Sequence, residues 1–347
     1  MSEPRFNSTF LVGLLFALVA AAGFGASGPL AKGLLSAGWS ANAAVTWRVS
    51  IGALLMLPFG LLALRGRWST LRAGWKRIVM FGFVSVAVVQ LGFFQAIQTL
   101  PVAVALLIEY LGVVMVVVWL WLKRGERPRP LTFLGAALSI VGLMFVLDVF
   151  GALGVDLVGA LWALLAAVGL ASYFLISAET SDGLPGLTLA STGLLVGAVV
   201  LALAGMTGIA PLHWNTQSVE LAGRMVPWWV DVAALGLVAA ALSYATGIQA
   251  SRRLGSKLAS FIGLSEVLLA VVWAVLLLGE MPSVVQLVGG ALILGGVVLV
   301  KLDEAPAEPV PPAGVGVALA VDAADGGRVP VSAGEPEVEA ATTARSV

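Results

Sequence analysis

The chain has 347 residues, with 19 basic and 19 acidic side chains, and its composition is 60% hydrophobic and only 11% charged. Soluble domains carry about 25% charged residues, so this composition excludes an ordinary soluble domain and predicts a polytopic membrane protein. The chain has no cysteine and a single histidine, His213, which excludes disulfides and thiolate chemistry and disfavours a metal site. The net charge of zero gives no indication of a nucleic acid or other polyanionic partner.

Ten apolar stretches have lengths near the roughly 20 residues that a helix needs to cross a bilayer. In chain order they are Phe10–Ala31, Asn42–Leu64, Ile78–Gln98, Pro101–Leu122, Leu131–Phe150, Val155–Ser177, Gly186–Gly208, Val230–Ala250, Lys257–Leu278 and Ser283–Leu302. Their length and unbroken apolarity favour helices over barrel strands, so we predict an all-α membrane protein. The longest internal connection, Met206–Trp229, is predicted to be a loop.

The distribution of lysine and arginine predicts the orientation in the membrane. Basic residues cluster after the second, fourth and eighth spans, whereas the opposite side carries only Lys32 and Arg224. Both termini are therefore predicted to be cytoplasmic. Residues 1–9 form a short N-terminal segment, and the composition of residues 303–347, rich in Ala, Pro, Glu and Gly, predicts a disordered tail.

The second half of the chain repeats features of the first half at an offset of 154 positions. Gln95 recurs as Gln249, Trp119 as Trp273, and the Gly-Glu-x-Pro at 125–128 as that at 279–282. A second match has an offset of 146: the Gly- and Ala-rich pattern at 13–23 recurs at 159–169. Glu126 and Glu280, which stand just before the matched prolines, are interpreted as helix-boundary residues.

The basic residues do not follow the repeat. The Gly-Glu-x-Pro connection at 125–128 is flanked by four basic residues, and its copy at 279–282 by none. The connection after the third span has no basic residue, whereas its counterpart after the eighth span has three. Duplicated sequence with exchanged charge is expected when two five-span halves insert in opposite orientations. We therefore predict a 5+5 inverted-topology repeat, comprising residues 10–150 and 155–302.

These features resemble the EamA family of drug/metabolite transporters. The resemblance rests on the five-plus-five spans, Arg48 in the second span, and the Leu-Leu-Gly-Glu-x-Pro motif at 277–282 followed by spaced glycines. It implies ten helices arranged as an inverted repeat, a central substrate cavity, and secondary transport, often export, of small metabolites. Where the family often has Glu-Pro, the fourth span has Gly112-Val113 and the ninth has Glu266-Val267, and the acid of the fourth span, Glu109, lies one turn earlier. The string Glu109-Tyr110-x-Gly112 is similar to one in threonine/homoserine exporters and favours an amino-acid-like substrate.

Two carboxylates lie deep inside apolar spans, where an unpaired charge costs a few kcal/mol. Glu109 is predicted to bind a cationic amine of the substrate or to accept a coupling proton, and the alternative is a structural acid held by a neighbouring group. Glu266 is displaced by three residues from the position that the repeat pairs with Glu109, so both acids can face one cavity. For Glu266 a structural ion pair is the alternative interpretation.

Five further polar residues complete the candidate substrate-binding or coupling set. Arg48 has a guanidinium suited to a substrate carboxylate, although it could equally extend to the headgroups. Gln95 and Gln249 occupy matched positions, and Gln90 is matched by Tyr244. Tyr173 is a candidate lining residue, with ordinary helix packing as its alternative.

Taken together, these features favour a secondary transporter of small metabolites that works by alternating access, in a bacterial plasma membrane. No phosphate-binding loop of the G-x-x-x-x-G-K-[ST] type occurs, so the chain is not expected to hydrolyse ATP. The alternatives are an intramembrane enzyme, for which no nucleophile–base pair is evident, and a non-transporting scaffold or sensor. The expected partners are a small solute, the lipid bilayer and protons as coupling ion, with no cofactor or metal; a homodimer is left open.

Overall fold

A computed structural model describes residues 8–100, 102–125, 127–147, 156–208, 210–221, 223–279 and 281–303. The predictions for Glu126, Glu280 and the tail beyond 303 lie outside these residues. The predicted boundaries of the two terminal segments differ slightly from the observed helices, because Ser8 begins the first helix and Asp303 ends the last. Asp303 is buried, and its Oδ2 accepts a hydrogen bond from the backbone N–H of Thr132 at 3.1 Å.

The described chain is almost entirely helical. Its α-helices are α1 (Ser8–Gly25), α2 (Ser27–Ser36), α3 (Ala41–Ala63), α4 (Trp68–Ala73), α5 (Trp75–Met80), α6 (Val89–Ala96), α7 (Val102–Arg124), α8 (Pro130–Val146), α9 (Leu157–Ala178), α10 (Gly186–Met206), α11 (Trp228–Ala234), α12 (Ser243–Gly263), α13 (Ser265–Leu278) and α14 (Val284–Asp303). Two π-helical segments, Phe81–Val88 and Leu235–Leu242, join α5 to α6 and α11 to α12. These segments begin and end 154 positions apart, at the offset of the sequence repeat.

Eight continuous helical stretches among the described residues are long and apolar enough to cross a membrane. Two shorter apolar helices, α8 and α13, stand where the fifth and ninth spans were predicted. The predicted eighth and ninth spans differ most from the structure, since helical chain runs from Trp228 to Gly263 and breaks at Leu264. This stretch bends at Gly255, whose φ of 76° is accessible to glycine at little cost.

Helix packing follows the repeat. The main pairs are α8 with α14, α3 with α10, α1 with α12, and α7 with α9. A Cβ on Gly142 would lie 2.6 Å from the Gly289 carbonyl oxygen, and a Cβ on Gly135 would lie 2.6 Å from that of Gly296. Gly289 and Gly296 of α14 stand 154 positions after Gly135 and Gly142 of α8. The four glycines that form the α8–α14 contact are therefore equivalent to one another in the repeat.

The packing of α1 and α9 shows the same correspondence. A Cβ on Gly23 of α1 would lie 2.7 Å from the Val238 carbonyl oxygen, and one on Gly169 of α9 would lie 2.8 Å from that of Val84. Gly169 follows Gly23 by 146 positions, and Val238 follows Val84 by 154. Each half therefore packs its first helix against the π-helical segment of the other half.

The connection after α10 contains an antiparallel two-stranded ribbon, which the all-α prediction did not include. Strand β1 (Val219–Leu221) pairs with β2 (Arg224–Val226), with Val219 opposite Val226. This connection packs on the start of α3, where Asn42 Nδ2 donates to the Ala210 carbonyl at 2.6 Å. We call this end of the bundle the hairpin end.

Arginines gather at the opposite end, which we call the basic end. Arg77 of α5 forms an ion pair with Asp182 and donates to the Glu179 carbonyl at 3.0 Å. Arg124, at the end of α7, lies 3.7 Å from the Glu179 carboxylate, and Arg252 of α12 donates to the Ser177 carbonyl at 3.4 Å. Backbone and hydroxyl hydrogen bonds from Ser181 lower the pKa of Glu179, with Arg124 contributing less, so this carboxylate is held in its charged form.

A carboxylate cap begins α9. The Asp156 side chain accepts a hydrogen bond from the Gly159 N–H at 2.8 Å, and this bond, together with one from Thr99, lowers the pKa of Asp156. A carboxyl group whose pKa is lower in the folded than in the unfolded protein stabilises the fold at pH values above its unfolded-state pKa. That stabilisation is lost as the pH falls through the folded-state pKa.

Replacing Asp156 by alanine should therefore lower the melting temperature at neutral pH, and this difference should shrink in acid. Thermal unfolding in detergent micelles at both pH values measures the effect. Asp156→Asn is the control, because it keeps an acceptor for the Gly159 N–H but cannot ionise. Equal melting temperatures for Asp156→Ala and the unaltered chain at neutral pH would contradict the capping role.

Candidate functional site

Arg48 lies inside the bundle rather than at its surface. It is in α3, and only 6% of the residue is exposed. Its Nη1 donates to the Ser27 hydroxyl, while its Nε is buried without a hydrogen-bond partner. A buried guanidinium with an unused donor is costly unless another acceptor reaches it. The geometry therefore disfavours the alternative in which Arg48 extends to the headgroups.

Two interrupted helices meet beside this arginine. The first break separates α1 from α2 at Ala26, because Pro29 has no N–H to donate to the Gly25 carbonyl. The second separates α12 from α13 at Leu264. The breaks lie together, since a Cβ on Gly25 would lie only 2.7 Å from the Glu266 carbonyl oxygen. Each break is a one-residue kink, since Ala26 keeps its backbone bonds to Ala22 and Leu30, and Leu264 bonds Phe261 and Val267. Discontinuous helices form the binding sites of many secondary transporters.

Glu266 and Glu109 approach each other and Arg48. Glu266 follows the break in the first turn of α13, and the Tyr110 hydroxyl lies within hydrogen-bonding reach of its carboxylate. Glu109 is near enough to Glu266 for repulsion, and Glu266 is near enough to Arg48 for attraction. Both acids are half-buried. The cluster brings two acids and one base together from three helices, α3, α7 and α13.

Aromatic rings form the adjoining wall. The Tyr173 and Tyr244 ring centroids are 5.7 Å apart, and Phe24 lies 5.1 Å from Tyr244 in an edge-to-face arrangement. Phe81 lies 5.9 Å from Tyr173. The Tyr173 hydroxyl is buried without a hydrogen-bond partner, and a Cβ on Gly247 would lie 2.0 Å from it. The site thus combines a charged cluster with an aromatic surface suited to a small organic group.

The structure does not bring Gln95 and Gln249 into this cluster. Gln95 is near the end of α6 and hydrogen-bonds Gln98, whereas Gln249 accepts from Arg253 Nη1 at 2.8 Å near the basic end. Their matched positions therefore correspond to separate helix ends. Among the residues that the structure describes, no group of three or more His, Asp or Glu side chains could hold a metal ion.

A family model, the EamA-like transporter family, matches residues 11–148 and 157–302. The chain belongs to this family. The Escherichia coli K12 threonine/homoserine exporter RhtA is 27% identical over 81% of this chain and 88% of its own length. An uncharacterized inner membrane transporter of Salmonella typhimurium LT2, YicL, is 24% identical over 84% and 95%, respectively. An uncharacterized transporter of Archaeoglobus fulgidus is 27% identical over 73% and 83%.

A solved structure supports the fold of this EamA family member. A chain described as "Crystal structure of protein" superimposes with a TM-score of 0.67 at 22% identity, covering 85% of the present chain and 98% of that chain. The family match and the apolar helices identify the protein as a multi-pass membrane transporter with two EamA repeats.

Sequence reasoning omitted three contributors from the site of this EamA transporter. Tyr110 stood only within the Glu109-Tyr110-x-Gly112 string, although its hydroxyl lies near the Glu266 carboxylate, and Ser27 was not singled out, although its hydroxyl accepts from Arg48. Phe24 had no polar atom to draw attention to it. One signal was present, because all three tyrosines of the chain, Tyr110, Tyr173 and Tyr244, lie inside predicted spans.

Proposed function

We propose that this EamA protein is a secondary transporter that exports small amino-acid-like solutes by alternating access. The observation that carries the proposal is the meeting of Arg48, Ser27 and Glu266 where two interrupted helices cross. An α-amino acid carries a carboxylate and an ammonium group within about 3 Å of each other, and this cluster offers opposite charges for both. The name of the relative RhtA, a threonine/homoserine exporter, supports the same substrate class.

The proposal assigns each charge a role. Arg48 binds the substrate carboxylate through its free Nε and its terminal nitrogens, and Ser27 holds the guanidinium in place. Glu266, oriented by Tyr110, receives the ammonium group. Glu109 accepts a proton or a second donor of the substrate, because its repulsion with Glu266 disfavours two charged acids in one pocket. Tyr244 and Tyr173 contact the apolar part of the substrate.

We infer ten membrane-crossing helices in a 5+5 inverted repeat, with residues 10–150 and 155–302 as the halves. The close contacts related by the 154 and 146 offsets support this arrangement, as does the division of the connections between the hairpin end and the basic end. The arginines at the basic end support a cytoplasmic position for that end and for both termini, in a bacterial inner membrane. The hairpin end then faces outward.

Contacts that join the halves at each end support alternating access. At the basic end, Arg77 of the first half pairs with Asp182 of the second. At the hairpin end, Trp39 Nε1 of the first half donates to the Asn215 carbonyl of the second at 3.0 Å. Breaking one set while keeping the other would open the site to one side at a time.

Transport into inside-out membrane vesicles tests the proposal, with radiolabelled threonine and homoserine as probes. Vesicles carrying the protein should accumulate label above empty vesicles, and Glu266→Gln should reduce the initial rate by at least roughly tenfold, since a charge-assisted contact is worth about 1.5–3 kcal/mol. Glu220→Gln, an acid on the exposed ribbon, is the matched control and should leave the rate unchanged. Equal rates for Glu266→Gln and the unaltered chain would refute the site. If neither probe moves, the substrate class is wrong.

A further inference from the structure

A second acid lies buried at the hairpin end, away from the Arg48 cluster. Asp231 of α11 has no exposed surface, and neither of its carboxylate oxygens has a hydrogen-bond partner. An ionised carboxylate is strongly disfavoured when it is buried without a partner, whereas the protonated carboxyl is tolerated far better. In this closed arrangement the neutral form of Asp231 is therefore favoured.

Asp231 lies on the seam that closes the hairpin end. Helix α11 packs against α2, α3 and β1, and a Cβ on Gly33 of α2 would lie 3.2 Å from Asp231 Oδ2. The charged residues on these elements are Lys32 of α2, Arg48 of α3 and Glu220 of β1. Lys32 and Glu220 are exposed, Arg48 donates to Ser27, and none of the three hydrogen-bonds to Asp231.

The repeat supplies a comparison inside the same chain. The residue 154 positions before Asp231 is Arg77, and the residue 146 positions after Gly33 is Glu179. Arg77 donates to the Glu179 carbonyl and pairs with Asp182, so the equivalent seam at the basic end is closed by a satisfied ion pair. At the hairpin end the same structural position holds an acid without a partner. The two gates thus occupy equivalent places but differ in what holds them closed.

We propose that Asp231 is the proton-binding residue of the outer gate. It holds a proton while α2 and α11 are packed together. When α2 separates from α11, water reaches the carboxyl, and the proton passes to the outer solution. Closing the gate again requires a proton from outside, so the proton is taken up and released on the same side and the opening of the gate follows the external pH. This inference rests on the proposed transport function and orientation, and it specifies external pH as the regulator of the outer gate.

The absence of cysteine allows the gate to be observed without substrate. Leu30 of α2 is buried in the seam, at 7% exposure, so Leu30→Cys reacts with a membrane-impermeant maleimide only when the outer gate opens. Its labelling rate in intact cells is divided by that of Gln217→Cys, an exposed position in the same connection, to remove the titration of the thiol itself.

The normalised rate should rise as external pH is raised from about 5.5 to about 8, by at most roughly tenfold per pH unit, the limit for one proton. Asp231→Asn should abolish this slope, and Glu220→Gln should preserve it. A rate independent of pH in the unaltered background overturns the proposal whether or not Asp231→Asn folds. An unchanged dependence of the labelling rate on pH in Asp231→Asn also overturns the proposal. Ala44→Cys of α3 provides a second reporter on the same seam.

The outcomes separate this proposal from the proposed function. If Gln217→Cys is not labelled in intact cells, the orientation is wrong, and the same pH series on inside-out vesicles still tests Asp231. If the labelling rate depends on pH but neither amino acid is transported, the role of Asp231 in the gate is supported and the proposed substrate class is wrong. If transport occurs while labelling ignores pH, the transporter stands and Asp231 is not its proton site.

Discussion

Replacing Arg48 by leucine is expected to abolish transport while leaving the protein folded. The substitution removes the group proposed to bind the substrate carboxylate and leaves Glu266 without its nearest positive charge. Truncating one partner of a buried charge pair costs about 2–5 kcal/mol, which corresponds to roughly 30-fold to a few thousand-fold in rate. The measurement is the initial rate of uptake into inside-out vesicles at equal amounts of protein in the membrane.

Two controls isolate the role of the guanidinium. Arg48→Lys keeps the charge but loses the planar fork, so its rate should fall between that of Arg48→Leu and that of the unaltered chain. Arg72→Leu removes an exposed arginine from α4 and should have no effect. Transport by Arg48→Leu at the unaltered rate would mean that substrate binds elsewhere in the bundle.

Replacing Gly296 by valine should destabilise the bundle more than any loop substitution. A Cβ at this position would lie 2.1 Å from the Ser139 hydroxyl and 2.5 Å from the Gly135 carbonyl oxygen. Because a carbonyl cannot rotate away as a side chain can, α8 and α14 would have to separate. Overpacking of a tight contact costs about 1–3 kcal/mol or more, so the melting temperature in detergent should fall clearly.

The same helix provides a matched control. At Gly290, the near neighbour of an added Cβ is the flexible end of Leu268, at 3.1 Å. Gly290→Val changes helix propensity as Gly296→Val does, but it does not push two backbones apart. The difference between the two melting temperatures therefore measures the crossing alone. If both variants have the same melting temperature, the backbones of α8 and α14 are not in close contact at Gly296.

Tertiary structure changed how the polar residues are grouped. The match between Gln95 and Gln249 suggested a shared cavity, but the two side chains lie at separate helix ends, as the proposed inverted repeat requires of equivalent residues. Asp231 and Arg77 are equivalent in the repeat and also lie at opposite ends of the bundle. Arg77 has an ion-pair partner and Asp231 has none, and this difference is a property of the packing at the two seams. The charged residues converge instead beside the helix breaks, where Glu266 of one half lies near Arg48 and Tyr110 of the other.

The sequence by itself determined the class of protein, most of the helices and the repeat, because apolar length and matched motifs are properties of the chain read in order. It also identified Arg48, Glu109 and Glu266, since a charge within a long apolar stretch is evident without coordinates. Only the tertiary structure decided which of these side chains lie close together. It also decided that the breaks after α1 and after α12 lie side by side, and that Asp231 has no hydrogen-bond partner. The physical reason is that these properties depend on distances between helices far apart in sequence, which close contacts at Gly25, Gly142 and Gly296 establish.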